Sequence, residues 1–314
     1  SFEASWLRLL QAQSGEKKPV VIDPTVPATP LTVSDLVRFL ENPGRSFAHQ
    51  SLGLYLHDYD LGLEDDEPFN SSKLVEYKLR QQMFVAALSH EPEACQLVRE
   101  EYQLNGQLPE SHLAASIIDT TQQQAQELVD ELQALGYEEV QKHWVSMAIS
   151  GVIIEDYLPL MGDATDVTSP LKAILSRPTK AKTKDRLTLW LTSLLAEVAF
   201  QQPVVGVSVH LEKNLQLHEL HDAAGQLDKI LALYTLGLTQ ALPLDAELGQ
   251  ELLKVDPQDI DKRRVKWQKK WYHHKYSQSF DFSSDPYRRW LWPQTPSFDD
   301  WHESFFEVYQ PMVD

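Results

Sequence analysis

One cysteine, Cys95, is the only thiol in this chain of 314 residues, so no internal disulfide can form and a reducing compartment suits the protein. Other absences narrow the function further. No G-x-x-x-x-G-K-S/T loop is present, so any ATP-driven step has to come from another chain. No G-x-S-x-G elbow marks a hydrolase nucleophile, and no H-E-x-x-H helix marks a zinc site. No apolar run is long enough to span a bilayer. The first residues, SFEASWLRLL, lack the basic start, apolar core and small-residue cleavage site of a signal peptide. Without an initiating Met, the chain reads as a fragment of a longer protein. Basic residues are also scarce: 28 Lys and Arg stand against 46 Asp and Glu, a net charge of −18. That balance argues against a free-standing nucleic-acid binder, whose affinity comes chiefly from neutralising phosphates. There is no internal repeat and no low-complexity tract. What remains is an apolar content of 42%, enough for a folded core, and length for one large domain or two small ones.

Charge is unevenly spread. Six of the ten residues 58–67 are acidic, a solvated loop or an acidic rim facing a basic partner surface. Residues 262–276, KRRVKWQKKWYHHKY, hold seven Lys and Arg and no acid. At helical spacing Ile260, Arg264, Trp267, Trp271 and His274 share one side, while Lys262, Lys266, Lys269 and His273 share the other. The tryptophans are expected to pack inward, and the four cations to face solvent or DNA phosphates. A cluster of His210, His218 and His221 with Glu212 and Glu219 fits no zinc spacing and reads as solvent positions at strand ends. Cys95 falls in a helix, where an inert, partly buried thiol is expected.

Periodicity predicts helices around a mixed sheet. Residues 1–30, with four prolines, read as an extended arm. The remainder, 31–314, reads as the folded domain with a helical extension at its end. Helices are expected from Asn70 or Ser71 through Leu88, with Leu74, Tyr77, Met83, Phe84 and Leu88 inward, and over 93–101 and 111–135. Adjacent strands follow at 140–145 and 151–158, with a turn at Ser150 and Gly151. A third strand covers 171–177. The helix at 185–200 carries a stripe of Leu187, Trp190, Leu191, Leu194 and Val198. Strands at 204–210 and 215–218, a helix at 223–242, and short helices at 285–292 and 298–309 complete the pattern.

The most informative stretch is 31–56. Thr32 and Asp35 make a capping box, and Leu36, Phe39 and Leu40 share one helical face. Asn42-Pro43 stops that helix and starts another. Leu54 and Leu56 alternate as in a half-buried strand. The order of Ser34, Phe39, Pro43 and Phe47 is similar to the entry helix of recombination nuclease domains of the PD-(D/E)xK type. With EDDEPF at 64–69, the chain most resembles the carboxyl-terminal domain of RecC, the exonuclease V gamma subunit family. The fold this implies is α/β (α+β), a PD-(D/E)xK nuclease-like core in which helices flank a mixed sheet.

Active members of that nuclease class bind Mg²⁺ through an Asp on one strand and a D/E-x-K triplet on the next, because Mg²⁺ takes oxygen ligands and the Lys positions the attacking water. Set against that pattern, Pro159 falls at the metal Asp, Leu175 at the acid of the triplet and Arg177 at its lysine. Proline and leucine cannot ligate a metal, and arginine stays protonated. The resemblance thus implies a degenerate site with no catalytic residue, no metal and no cofactor. A register shift that recruits Glu155, Asp156 or Asp163 would instead make an active nuclease.

What the resemblance implies is a non-catalytic scaffold in a bacterial, cytoplasmic helicase–nuclease for double-strand break repair. It would dock the alpha and beta subunits of exonuclease V and guide DNA, away from any membrane. The aromatic tail, with Trp290, Trp292, Trp301, Phe305 and Phe306, is the candidate partner surface, since aromatics are enriched at interfaces. An interaction module without DNA contact is a third reading.

Overall fold

The computed structural model describes residues 29–56, 73–91, 93–106, 108, 112–163, 166, 169–217, 220–271 and 285–312. Helix α1, Val33–Glu41, starts at the expected capping box: the Thr32 hydroxyl accepts from the Asp35 backbone N–H at 3.2 Å, and the Asp35 carboxylate accepts from the Thr32 N–H at 3.0 Å. Its face of Leu36, Val37, Phe39 and Leu40 is buried. Asn42 ends it and caps the short α2, Pro43–Ser46, by accepting from the Arg45 N–H at 3.0 Å.

The strand expected around Leu54 and Leu56 does not form. A π-helical turn, Phe47–Ser51, continues α2. The segment after it finds its backbone partners elsewhere, with the Leu54 N–H donating to the Ala48 carbonyl and the Leu56 N–H to the Tyr287 hydroxyl.

Helices α3 (Lys73–Leu88), α4 (Ala94–Leu104) and α5 (His112–Ala134) form one layer. In α3 the inward set is Leu79, Met83, Phe84 and Ala86, whereas Leu74 and Tyr77 are exposed. At 3.6 residues per turn, Leu74 lies about 140° around the helix from Leu79, so the two cannot share a buried face.

The sheet has five strands in the order β1-β2-β3-β4-β5: Gln141–Ile149, Val152–Met161, Leu171–Ser176, Val204–Val209 and Leu215–Leu217. β1 and β2 make a hairpin closed by Ser150 (φ 49°) and Gly151 (φ 80°), the pair of positive φ values that a two-residue turn matched to strand twist needs. Both strands outrun their expected ends, because pairing extends from Ile149↔Val152 to Gln141↔Leu160. β3 and β4 are parallel, joined through α6, Thr183–Phe200; the other pairs are antiparallel.

The chain closes with α7 (Ala223–Thr239), α8 (Ala246–Leu253), α9 (Ile260–Trp271), α10 (Pro286–Leu291) and α11 (Phe298–Tyr309). No pattern in the sequence singled out α8, which is only eight residues long and begins at the cap Asp245. The sheet lies between two apolar cores. One joins it to α1, α6, α7, α8 and the terminal helices; the other joins Ile174, Val207 and Val209 to α3, α4 and α5. Enclosed by the first core, α6 buries Leu187, Leu189, Trp190, Leu191, Leu194 and Leu195, wider than the single stripe its spacing suggested, while Val198 is half-buried. Among the described residues no helix is long and apolar enough to cross a membrane.

Candidate functional site

Strands β2 and β3 pair only through Leu160↔Ala173 and Met161↔Lys172. Pro159 stands where that pairing stops. The Ile153 carbonyl and the Glu155 N–H bond to Leu31 on the side of β2 away from β1, both at 2.8 Å. Alternation therefore aims the backbone of Pro159 at β3 as well. Proline has no N–H to donate there, so the ladder cannot continue past it. Beyond this point the strands diverge, and the segment holding Leu31 enters beside β2.

The opening is a cleft of roughly 220 Å³ between α1, α6 and the diverging strands. Pro159 and Leu175 both border it, together with Asp156, Leu158, Lys184 and Thr188. The two are not equivalent. Leu158, Leu160 and Leu175 pack into the core on the α6 side, so the half-buried Pro159 presents its ring to the other face by alternation. The acid on the α6 side is Asp156. Its carboxylate is engaged, accepting from the Val33 N–H at 2.9 Å at the start of α1 and from the Tyr157 N–H at 2.7 Å. Glu155 turns toward β1, where it accepts from the Ser146 hydroxyl at 3.0 Å. Asp163 follows the end of β2.

Arg177 sits two residues past Leu175 but borders a different, larger cleft. Its guanidinium donates to Asp185 at 2.6 Å, and the same carboxylate oxygen accepts from the Lys182 N–H at 2.8 Å at the start of α6. Among the described residues no three His, Cys, Asp or Glu side chains gather as a metal site.

His210, expected in solvent, is buried: its Nε2 lies 2.9 Å from the Ser208 hydroxyl, and burial pushes its pKa below the ordinary histidine range. It follows β4 directly, and a sequence pattern cannot distinguish this buried position from a strand-end surface. Glu212 pairs with Lys180. His218 and Glu219 lie outside the described residues, as do the acidic run 58–67 and the EDDEPF segment.

Helix α9 buries Trp267 and Trp271, as its spacing indicates, but its third inward residue is Arg263 rather than Arg264. Arg263 lies over the Phe306 ring at 4.1 Å and donates to the Val255 carbonyl at 2.9 Å. Arg264 pairs instead with Asp261 and Asp299, and Ile260 is half exposed. The basic face is divided. Lys262 and Lys269 are exposed, whereas Lys266 donates to the Glu251 carbonyl at 2.8 Å and Lys270 pairs with the Glu251 carboxylate at 3.0 Å. His273 and His274 lie outside the described residues.

The tail aromatics are divided in the same way. Phe305 is buried at 1% exposure and Trp290 is exposed at 40%. Trp292, Trp301 and Phe306 pack half-buried against the core, with the Trp292 ring set edge-on to Trp271.

Sequence reasoning missed two participants, Asp156 as the cap of α1 and Lys184 on the wall shared by both clefts. Lys184 is the second residue of α6, and nothing in its spacing links it to β2.

Such a structure defines a mixed α/β domain, a five-stranded sheet flanked by helices, with a cleft between diverging strands that both apolar and polar residues line. Residues 28–256, well over half of the chain, match the RecC C-terminal domain family, and the chain belongs to that family. It is 27% identical over 198 residues to the RecBCD enzyme subunit RecC of Escherichia coli (strain K12), an alignment that covers 62% of this chain and 17% of that protein. The chain thus spans less than a fifth of that curated relative's length.

Proposed function

We propose that this chain is a non-catalytic scaffold domain of an exonuclease V (RecBCD-type) assembly, with a PD-(D/E)xK nuclease-like core. It docks the alpha and beta subunits and guides DNA during double-strand break repair in the bacterial cytoplasm. One observation carries the reading. The cleft between β2 and β3 is bordered by Leu158, Pro159 and Leu175, and Asp156, the one acid among the described residues that line it, is spent on the start of α1. Mg²⁺ needs several oxygen ligands in near-octahedral geometry, and a single carboxylate already holding two backbone N–H groups does not supply them. Family membership supports the assembly role; the partners and the DNA are inferred from the relative's name.

The rival reading, an active nuclease with displaced ligands, requires Glu155 or Asp156 to turn into the cleft. The test is to incubate the purified chain with end-labelled linear duplex and Mg²⁺ or Mn²⁺. No cleavage above a metal-free control is expected. Metal-dependent cleavage that Glu155→Gln or Asp156→Asn abolishes would establish the rival.

A further inference from the structure

The two edges of the sheet are built differently. β5 ends it with 3 residues, whereas β1 presents 9, Gln141–Ile149. A long edge strand offers its backbone to any other strand, and proteins commonly blunt such edges with proline, a bulge or an inward charge. β1 has no proline and no acid, and its one Lys, Lys142, lies near its start. Its register with β2 runs unbroken from Gln141↔Leu160 to Ile149↔Val152, so no bulge interrupts it. Alternation decides which backbone groups are free. Ile153 and Glu155 of β2 turn theirs to Leu31, so Ile154, Asp156 and Leu158 face β1, opposite Met147, Val145 and His143. Lys142, Trp144, Ser146 and Ala148 therefore aim their N–H and C=O groups away from the sheet. All four residues are exposed, and among the described residues these groups have no backbone partner.

Apolar surface flanks this edge on both faces of the sheet. On one, Trp144 meets Tyr157 across the strands with ring centroids 4.8 Å apart, and the rings are 52% and 59% exposed. Helices α3, α4 and α5 cover the same face further along, at Ile174, Val207 and Val209 of β3 and β4. On the other face a groove of roughly 360 Å³ runs between β1 and the end of α6, where Val198, Ala199 and Phe200 line it. Charge adds a direction. Lys142 has no ion pair among the described residues, in a chain whose acids outnumber its bases 46 to 28.

Free donors and acceptors at every second residue are matched by one kind of ligand, an extended backbone, and pockets on alternate sides select its side chains. We propose that the free edge of β1 is a strand-addition site. It takes an extended segment of another chain whose residues lie alternately beside Trp144 and in the groove at Phe200, both sets apolar, with an acid beside Lys142. A helix laid on the same surface would bury the rings and leave the edge N–H groups without acceptors. The inference rests on the assembly role proposed above and gives it a surface.

The test is hydrogen exchange, resolved to single amides, on the full chain alone and with the purified alpha or beta subunit of exonuclease V. Alone, the amides of Trp144, Ser146 and Ala148 should exchange about tenfold or more faster than those of Val145 and Met147. The subunit that supplies the strand should slow the three outward amides by about 100-fold and leave the inward two as they were. Three variants follow by affinity. Ser146→Pro removes one outward N–H and sets a ring in the path of the added strand, a change that an edge strand tolerates. Ser146→Ala loses the same hydroxyl bond to Glu155 and keeps the N–H. The proline variant should bind about tenfold or more weakly, and the alanine variant should match wild type. Lys142→Glu should cost about threefold. If the proline variant does not fold, the wild-type exchange pattern and Lys142→Glu decide the matter. A bound subunit that leaves the outward amides fast overturns strand addition and leaves the assembly role standing, as does equal binding by Ser146→Pro and Ser146→Ala. Failure of both subunits to bind overturns both readings. Protection that grows with concentration in the chain alone would assign the edge to a second copy, against the proposal.

Discussion

The carboxylate of Asp156, in the middle of β2, accepts a hydrogen bond from the Val33 backbone N–H at 2.9 Å, joining residues 123 apart in sequence. An acid bordering the central cleft thereby serves as a second cap for α1, which already has its own capping box. Helix starts leave N–H groups that need such acceptors, and a cap is worth about 0.5–2 kcal/mol. Asp156→Ala should lower stability by about 1 kcal/mol in urea unfolding and leave DNA cleavage unchanged at zero. A variant of unaltered stability would mean that the carboxylate is free for another use.

A second carboxylate gives a pH signature. Asp245 caps α8, pairs with Arg288 and is fully buried; burial raises its pKa from 3.8 to about 6, outweighing the opposing pull of Arg288. A group that binds its proton more tightly when folded stabilises the fold fully below the unfolded pKa, and that stability is lost as pH rises through the folded value. This contribution should therefore fall between about pH 4 and pH 6. Asp245→Asn should remove that dependence, so the stability difference between wild type and variant must drift against wild type across the window. A constant difference from pH 4 to pH 7 would contradict the assignment.

Close packing fixes the C-terminal helices onto α2. A methyl group at Gly44 would lie 2.6 Å from the Trp292 ring, inside van der Waals contact. Gly44→Ala should cost about 1–3 kcal/mol, the usual penalty of overpacking. Pairing it with Trp292→Ala should recover part of that loss in a double-mutant cycle. Strict additivity would show that the two residues do not touch.

The tail should separate into stability and binding residues. Phe305→Ala and Trp267→Ala remove buried rings that meet at 4.9 Å between centroids, and each should cost about 3–5 kcal/mol in thermal unfolding. Trp290→Ala should leave stability within about 0.5 kcal/mol and weaken capture of the alpha subunit. If capture is unchanged, the exposed ring is no part of the interface.

Local signals were legible in the sequence. The capping box at Thr32 and Asp35, the break at Asn42-Pro43, the turn at Ser150 and Gly151 and the inward Trp267 and Trp271 each depend on neighbours within a few residues. What the sequence did not disclose depends on tertiary partners. Leu54 and Leu56 alternate as a strand would, yet their segment is held by Ala48 and Tyr287. Arg263 is drawn inward by Phe306 and Val255, contacts that no helical wheel contains. At the cleft, the resemblance to nuclease domains set Pro159 and Leu175 at the two metal-ligand positions, and the structure shows only that both border it. The sequence alone could not show that they belong to opposite faces of the sheet, nor that Asp156 is held by α1.

The central claim, an assembly domain without chemistry of its own, is tested most directly by calorimetric titration of the exonuclease V alpha subunit into the purified chain. Saturable binding at a simple stoichiometry, unchanged by adding or chelating Mg²⁺, is the result this account predicts. No heat of binding from a chain that nevertheless cleaves linear DNA in Mg²⁺ would contradict it.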